Sequence, residues 1–174
     1  MLRQRIIAVP QEPVFLPDGT TFQANLDPYD ISTSEDCQAV LVTVGLWPFV
    51  QSRGGLQVGM SAGTFSVGQR GLFSLARAVL RRRLRSSSST GGILLLDEVS
   101  SSVDTETERV MREILREEFT EYTIVSVSHR LDMVMGFDRV VVMELGRVVE
   151  VGNPKILAVE EGTRFGELVR AGGM

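Results

Sequence analysis

Apolar residues along the chain fall into short runs separated by polar stretches rich in glycine and proline. "RIIAVPQ" (5–11) is one such run, broken by Pro10, and predicts a buried strand leading into a loop. "EPVFLPDGTTFQANLDPYD" (12–30) carries Pro, Gly and Asp at close intervals and reads as loop with one short helical turn. "STSEDCQAVLVTVGLWPFV" (32–50) opens with capping residues and acids, then spaces its apolar residues helically. It predicts a helix to about Gly45, with Pro48 as a further stop. "QSRGGLQVGMSAGT" (51–64) is a glycine-rich loop. A long amphipathic pattern then predicts a helix from about Val67 to Leu84. "RSSSSTGG" (85–92) is polar, of low complexity and expected to be mobile.

The second half has a different rhythm. "GILLLDEV" and "YTIVSVSH" are continuous apolar runs suited to strands buried on both faces. Between them, "DTETERVMREILREEF" places Val110, Ile114 and Leu115 on one helical face and Glu and Arg on the other. "RLDMVMGF" predicts a short helix, and "DRVVVMELGRVVEVG" two strands joined by a turn at Leu145-Gly146. "NPKILAVEEG" and "TRFGELVRAG" predict short helices. No internal repeat is present. Alternating strands and helices imply an α/β fold with parallel strands.

Composition narrows the function classes. At 174 residues the chain suits one domain with a real core, and 43% apolar content is that of a globular protein. A formal net charge of −4 gives no bulk attraction to nucleic acid or to an anionic membrane. Cys37 is alone, so no intrachain disulfide is possible and an intracellular setting is expected. No apolar run approaches the ~18 residues of a membrane span. The opening "MLRQRIIAVPQEP" lacks the pattern of a secretory leader. Lys155 is the only lysine.

Candidate chemistry lies where strands end. "ILLLDE" closes a strand with Asp97 and Glu98. At the carboxyl end of a parallel strand an Asp can hold Mg²⁺, and the next carboxylate can orient or deprotonate a water. The alternative is a solvated acidic pair. His129, the only histidine, closes another strand. It suits a residue reaching a transferred phosphate, or a solvent-exposed strand end. Ser66 and Gly68 open a long helix, where unpaired N–H groups and the dipole can seat a phosphate. Ser66 can equally be a plain N-cap. Gln11 follows a strand and offers a carbonyl oxygen to Mg²⁺, or is only loop. Asp104 has the same ambiguity as a helix cap. The basic run "RRRLR" (81–85) is expected to complement the helix dipole and face water rather than bind a polyanion.

Taken in order, these stretches resemble the nucleotide-binding domain of ATP-binding-cassette (ABC) transporters. Gln11 matches the Q-loop and "FSVGQ" the signature motif, usually LSGGQ. "ILLLDE" matches Walker B, "SSVD" the D-loop, and "SHR" with His129 the H-loop. The stretch "VPQEPVFLPDGTTFQANLDPY" is similar to the second nucleotide-binding domain of the multidrug-resistance-associated (C) subfamily, above all its fungal members. The Glu after the Walker B Asp and the Val in the signature fit that domain too.

The resemblance implies a P-loop NTPase-like (RecA-like) α/β core with an inserted helical subdomain. Residues about 12–90 would form the helical, signature-bearing part, and about 1–11 and 91–174 part of the core. It implies ATP and Mg²⁺ as cofactors, with Asp97 and Gln11 serving the metal and Glu98 and His129 the chemistry. Asp104 and the signature residues Ser66, Val67, Gly68 and Gln69 are implied nucleotide contacts. The signature would face ATP held by a partner nucleotide-binding domain in a head-to-tail pair. The other implied partners are transmembrane domains, which place the chain at the cytoplasmic face of a membrane; nucleic acid is not among them.

The sequence departs from the family pattern in two ways. No G-x-x-x-x-G-K-[ST] is present, since Lys155 sits in "GNPKILA" without the glycines. The chain therefore reads as the C-terminal two-thirds of such a domain, and ATP hydrolysis by the isolated chain is not expected. Gly71 stands where the family usually has Gln, a choice costing ~1 kcal/mol of helix stability relative to Ala. A second reading, of another class, is a non-catalytic remnant offering at most a signature face. A third is a soluble ABC-type ATPase of DNA repair or translation, against which the transporter-like Q-loop and signature regions argue.

Overall fold

The computed structural model describes residues 5–85, 91–99 and 103–172. The serine-rich stretch 86–90 and the two serines of "SSVD" lie outside the described residues. The chain divides into two compact units, Met1–Val127 and Ser128–Met174.

The first unit is mixed α/β. Strand β1 (Ile6–Val9) pairs in parallel with β2 (Gly92–Asp97), and β2 with β3 (Tyr122–Val127), in the order β1-β2-β3. Helices α1 (Phe22–Leu26), α2 (Ser34–Thr43), α3 (Trp47–Gln51) and α4 (Val67–Arg85) lie between β1 and β2, and α5 (Thr105–Glu118) between β2 and β3. Helix α2 starts at a reciprocal capping box between Thr33 and Asp36. Its end is marked by Gly45, whose φ of +73° suits a residue without Cβ. Pro48 does not merely stop that helix. It sits in the first turn of α3, where its missing N–H costs nothing.

Ile7, Val9, Leu94 and Leu96 point into one core with Phe73, Val79, Met111 and Ile114. The opposite sheet face, which the apolar runs suit to burial as well, is uncovered in this chain. Ala8, Leu95 and Val125 stand in one row across the three strands, and all three are exposed. Val127 is exposed beside them. The apolar runs therefore alternate between buried and exposed positions as any strand does. The core they share with α4 and α5 lies on the other face.

Two glycines let backbone and helices approach. A Cβ on Gly92 would stand 2.6 Å from the Arg5 carbonyl oxygen and from the Tyr122 ring. One on Gly71 would meet the Met111 methyl at 2.7 Å, so the helix-weakening glycine makes room for a core side chain of α5.

In the second unit, α6 (Leu131–Val134) precedes an antiparallel hairpin of β4 (Val140–Glu144) and β5 (Arg147–Gly152). Leu145 and Gly146 both have positive φ, +47° and +75°, as the turn of a two-residue hairpin requires. Helices α7 (Pro154–Leu157) and α8 (Arg164–Ala171) follow. The Glu150 carboxylate of β5 accepts from the N–H groups of Arg164 and Phe165 at 3.1 and 2.9 Å and so caps α8. Among the described residues, no helix is long and apolar enough to cross a membrane.

Candidate functional site

The carboxyl ends of β1 and β2 lie side by side. Val9 is in register with Leu96, so Gln11 and Glu98, each two residues further on, leave the sheet at one level. The Gln11 Nε2 donates to Glu98 Oε2 at 3.0 Å. Glu98 is half-buried, and its own N–H donates to the Val127 carbonyl at 3.0 Å. Its φ is +47°, a left-handed conformation that costs a non-glycine residue about 1–2 kcal/mol. Strain of this kind concentrates where a side chain must be aimed. Asp97, the last residue of β2, is exposed.

These groups suit a hard cation. Asp97, Glu98 and the Gln11 carbonyl are oxygen donors, and Mg²⁺ takes one or two carboxylates while keeping waters or phosphate oxygens. The Gln11 amide nitrogen is engaged by Glu98, which leaves Oε1 as its ligating atom. Among the described residues, no three His, Cys, Asp or Glu side chains converge into a metal cage. A cation here would rest on the strand-end oxygens and on the anion it accompanies.

The start of α4 is built as a capping box. Gln69 N–H donates to Ser66 Oγ at 3.1 Å, and Ser66 N–H donates to Gln69 Oε1 at 3.0 Å. The cap satisfies one of the first-turn N–H groups that a helix leaves unpaired. Val67 is exposed. Gly68 is buried against α5, where its absent Cβ leaves space for Thr107. Asp104 caps α5 through that same residue, accepting from Thr107 N–H at 3.0 Å and Thr107 Oγ1 at 2.7 Å. The hydroxyl first, then the N–H, hold the Asp104 carboxyl below its ordinary value. The first turns of α4 and α5 thus meet at Gly68 and Thr107.

His129 belongs to the second unit and is exposed. It stands between Ser128, whose Oγ accepts from the Arg130 N–H at 3.0 Å, and Arg130, which pairs with Asp132 at 2.9 Å. The basic run ending α4 does more than face water. Arg82 and Arg83 meet the Glu118 carboxylate at 2.5 and 2.6 Å, and Arg83 also donates to Thr43 Oγ1 at 2.8 Å. Arg85 donates to the Ile6 carbonyl at 3.2 Å. This run ties α4 to α5, α2 and β1.

Two residues near these motifs escape the motif pattern. Thr107 is the surface on which Gly68 rests, and its sequence signal is only the cap-like "DTET". Arg77 lies between buried Ala76 and Ala78 on α4, and a cation inside an apolar helical stretch was the sign available for it.

No family model matches the chain. Among known proteins it is 64% identical over 99% of its length to ABC-type transporter braE of Annulohypoxylon truncatum. It is 54% identical over 97% of its length to ABC transporter FGM5 of Gibberella zeae, and 39% identical over 98% to ABC transporter ecdL of Aspergillus rugulosus. The chain spans 12%, 12% and 11% of those three relatives. Over nearly its whole length, the chain is homologous to one segment of fungal ABC transporters.

Proposed function

We propose that the chain is the C-terminal part of the nucleotide-binding domain of an ABC exporter, whose ATP hydrolysis drives transport across a membrane. The reading extends to the second such domain of the C subfamily, with a RecA-like core and residues about 12–90 as its helical, signature-bearing part. The observation that carries it is the hydrogen bond from Gln11 to Glu98, at the carboxyl ends of adjacent parallel strands, where this architecture binds ligands.

In this reading Glu98 orients a water for in-line attack on the γ-phosphate and takes its proton. A bond forms between the water oxygen and phosphorus, the bond to the β–γ bridging oxygen breaks, and ADP leaves. Gln11 fixes the Glu98 carboxylate by donating to its Oε2. His129 contacts the γ-phosphate. A bound Mg²⁺ would be held by Asp97 and the Gln11 carbonyl and would neutralise charge on the phosphates. Ser66, Val67, Gly68 and Gln69 face ATP on a partner domain at the cytoplasmic face, with Asp104 beside them.

The test replaces the homologous segment of the Annulohypoxylon truncatum relative with this chain. Glu98→Gln should retain ATP binding and slow single-turnover hydrolysis by ~10²–10⁴-fold, the usual contribution of one positioned base. Asp97→Asn should instead weaken Mg²⁺-ATP binding. Hydrolysis at the unmodified rate in Glu98→Gln would make Glu98 a solvated strand-end carboxylate. A chimera that binds no ATP at all would favour the non-catalytic remnant.

A further inference from the structure

Arg77 lies on the core-facing side of α4, one turn after Phe73. Its guanidinium donates through Nε to the Asn25 carbonyl at 2.7 Å and through an Nη to the Val14 carbonyl. The guanidinium carbon lies 5.1 Å from the Phe15 ring centroid and 5.2 Å from that of Phe73. Burial lowers its pKa to about 10, so it is charged at neutral pH. A partly desolvated charge is costly unless hydrogen-bonded. Here the acceptors are main-chain carbonyls of two segments outside α4.

Val14 ends the Gln11 arm, and Asn25 belongs to α1. Val14–Leu16 is neither helix nor strand. Leu16 N–H donates to Asn25 Oδ1 at 2.9 Å, and the Asn25 amide donates to the Thr21 carbonyl at 3.1 Å. The Phe15 ring stacks on Phe65 at 5.7 Å, next to the capping Ser66. Gln11 is suspended between β1 and this anchor. Pro10 and Pro13 flank it, and their fixed φ leaves the four-residue bridge few ways to absorb a shift. A hydrogen bond of 3.0 Å is lost with a displacement of roughly 0.5 Å.

We propose that Arg77 is a positioning residue for Gln11: by holding Val14 and Phe15 against α4, it sets where the Gln11 carboxamide meets Glu98. The inference rests on the proposed function for the work these two residues do. Its test reads the carboxamide without nucleotide, so the two can fail separately.

The experiment is NMR on the ¹⁵N-labelled 174-residue chain. Gln11→Ala identifies the Gln11 side-chain amide resonance, and Glu98→Ala gives its position once the hydrogen bond is lost. In Arg77→Met, and in Arg77→Lys, which keeps the charge but not the fork spanning two carbonyls, two changes are expected. The Gln11 amide resonance moves toward its Glu98→Ala position, and Leu16 N–H exchange accelerates about tenfold or more while amides of β2 and α5 stay within about twofold. An unchanged Gln11 amide in both variants overturns the proposal, whatever Leu16 does. So does uniform acceleration of all amides, or unfolding of both variants, since either makes Arg77 a contributor to stability only.

Discussion

A Cβ built on Gly68 stands 3.1 Å from both Cγ2 and Oγ1 of Thr107. Thr107 cannot simply turn aside, because its hydroxyl and N–H are both held by Asp104. Gly68 is thus closely fitted to the packing of α4 on α5, apart from any ligand.

Gly68→Ala should therefore destabilise the chain by about 1–3 kcal/mol, the usual cost of an extra methyl in a packed contact. The helix-propensity gain of Ala over Gly offsets at most ~1 kcal/mol of this. Chemical denaturation of Gly68→Ala, Thr107→Ala and the double variant measures it. The double variant should be more stable than the sum of the single effects predicts, because removing the Thr107 side chain vacates the space. Strict additivity would show that the two residues do not meet.

Glu118 and Asp27 should contribute to the acid limit of stability. Burial works to raise the Glu118 carboxyl, but hydrogen bonds and charge from Arg83 and Arg82 outweigh it and hold the group below 4.5. Burial likewise opposes the Ser32, Ile31 and Tyr29 hydrogen bonds that keep Asp27 below 3.8. A folded-state value below the unfolded one contributes stability that is present above the unfolded value and lost as pH falls through the folded one. Urea midpoints should thus fall below about pH 4.5 for reasons traceable to these groups. Glu118→Gln should cost about 1.5–3 kcal/mol at pH 7, the range for hydrogen bonds to a charged group, and much less at pH 3. An equal loss at both pH values would show that the Arg82–Glu118–Arg83 cluster is not ionic in origin.

The pattern of apolar positions was sufficient for the long elements. Helix α4 runs Val67–Arg85 where the periodicity asks for Val67 to about Leu84, and the Leu145-Gly146 turn falls where its dipeptide predicts. What the pattern could not reveal is which strand face is covered. "ILLLD" reads the same whether one face or both are buried, because Leu95 and Leu94 are both apolar; only the third dimension separates them. Nor could it separate roles that coexist. Ser66 and Asp104 were open between capping and chemistry, and both are caps in the structure, which leaves any chemistry additional. The Gln11–Glu98 contact spans 87 residues, and it depends on strand register that no local pattern shows. Arg77 illustrates a third limit: its acceptors are carbonyls, and main-chain acceptors carry no side-chain signature.

Ser66 offers a way to separate the cap from the phosphate seat, because one substitution affects them oppositely. Asp is as good an N-cap as Ser, whereas Ala costs about 1 kcal/mol. Ser66→Asp should therefore unfold within about 0.5 kcal/mol of the original chain, and Ser66→Ala about 1 kcal/mol earlier. An acidic residue at the positive end of the helix is also favourable to the fold. Toward a γ-phosphate the ranking inverts. Ser66→Ala removes one hydroxyl contact but leaves the backbone N–H groups and the dipole in place. Ser66→Asp puts a negative charge where the proposed function puts a phosphate. In the chimeric transporter, Ser66→Asp should abolish ATP-dependent closure of the domain pair despite normal stability, while Ser66→Ala keeps a weakened response. The measurements are denaturation of the 174-residue chain and nucleotide-trapped closure of the chimera. If both variants close in order of their stability, Asp better than Ala, then Ser66 acts only as the cap of α4 and no anion docks against it.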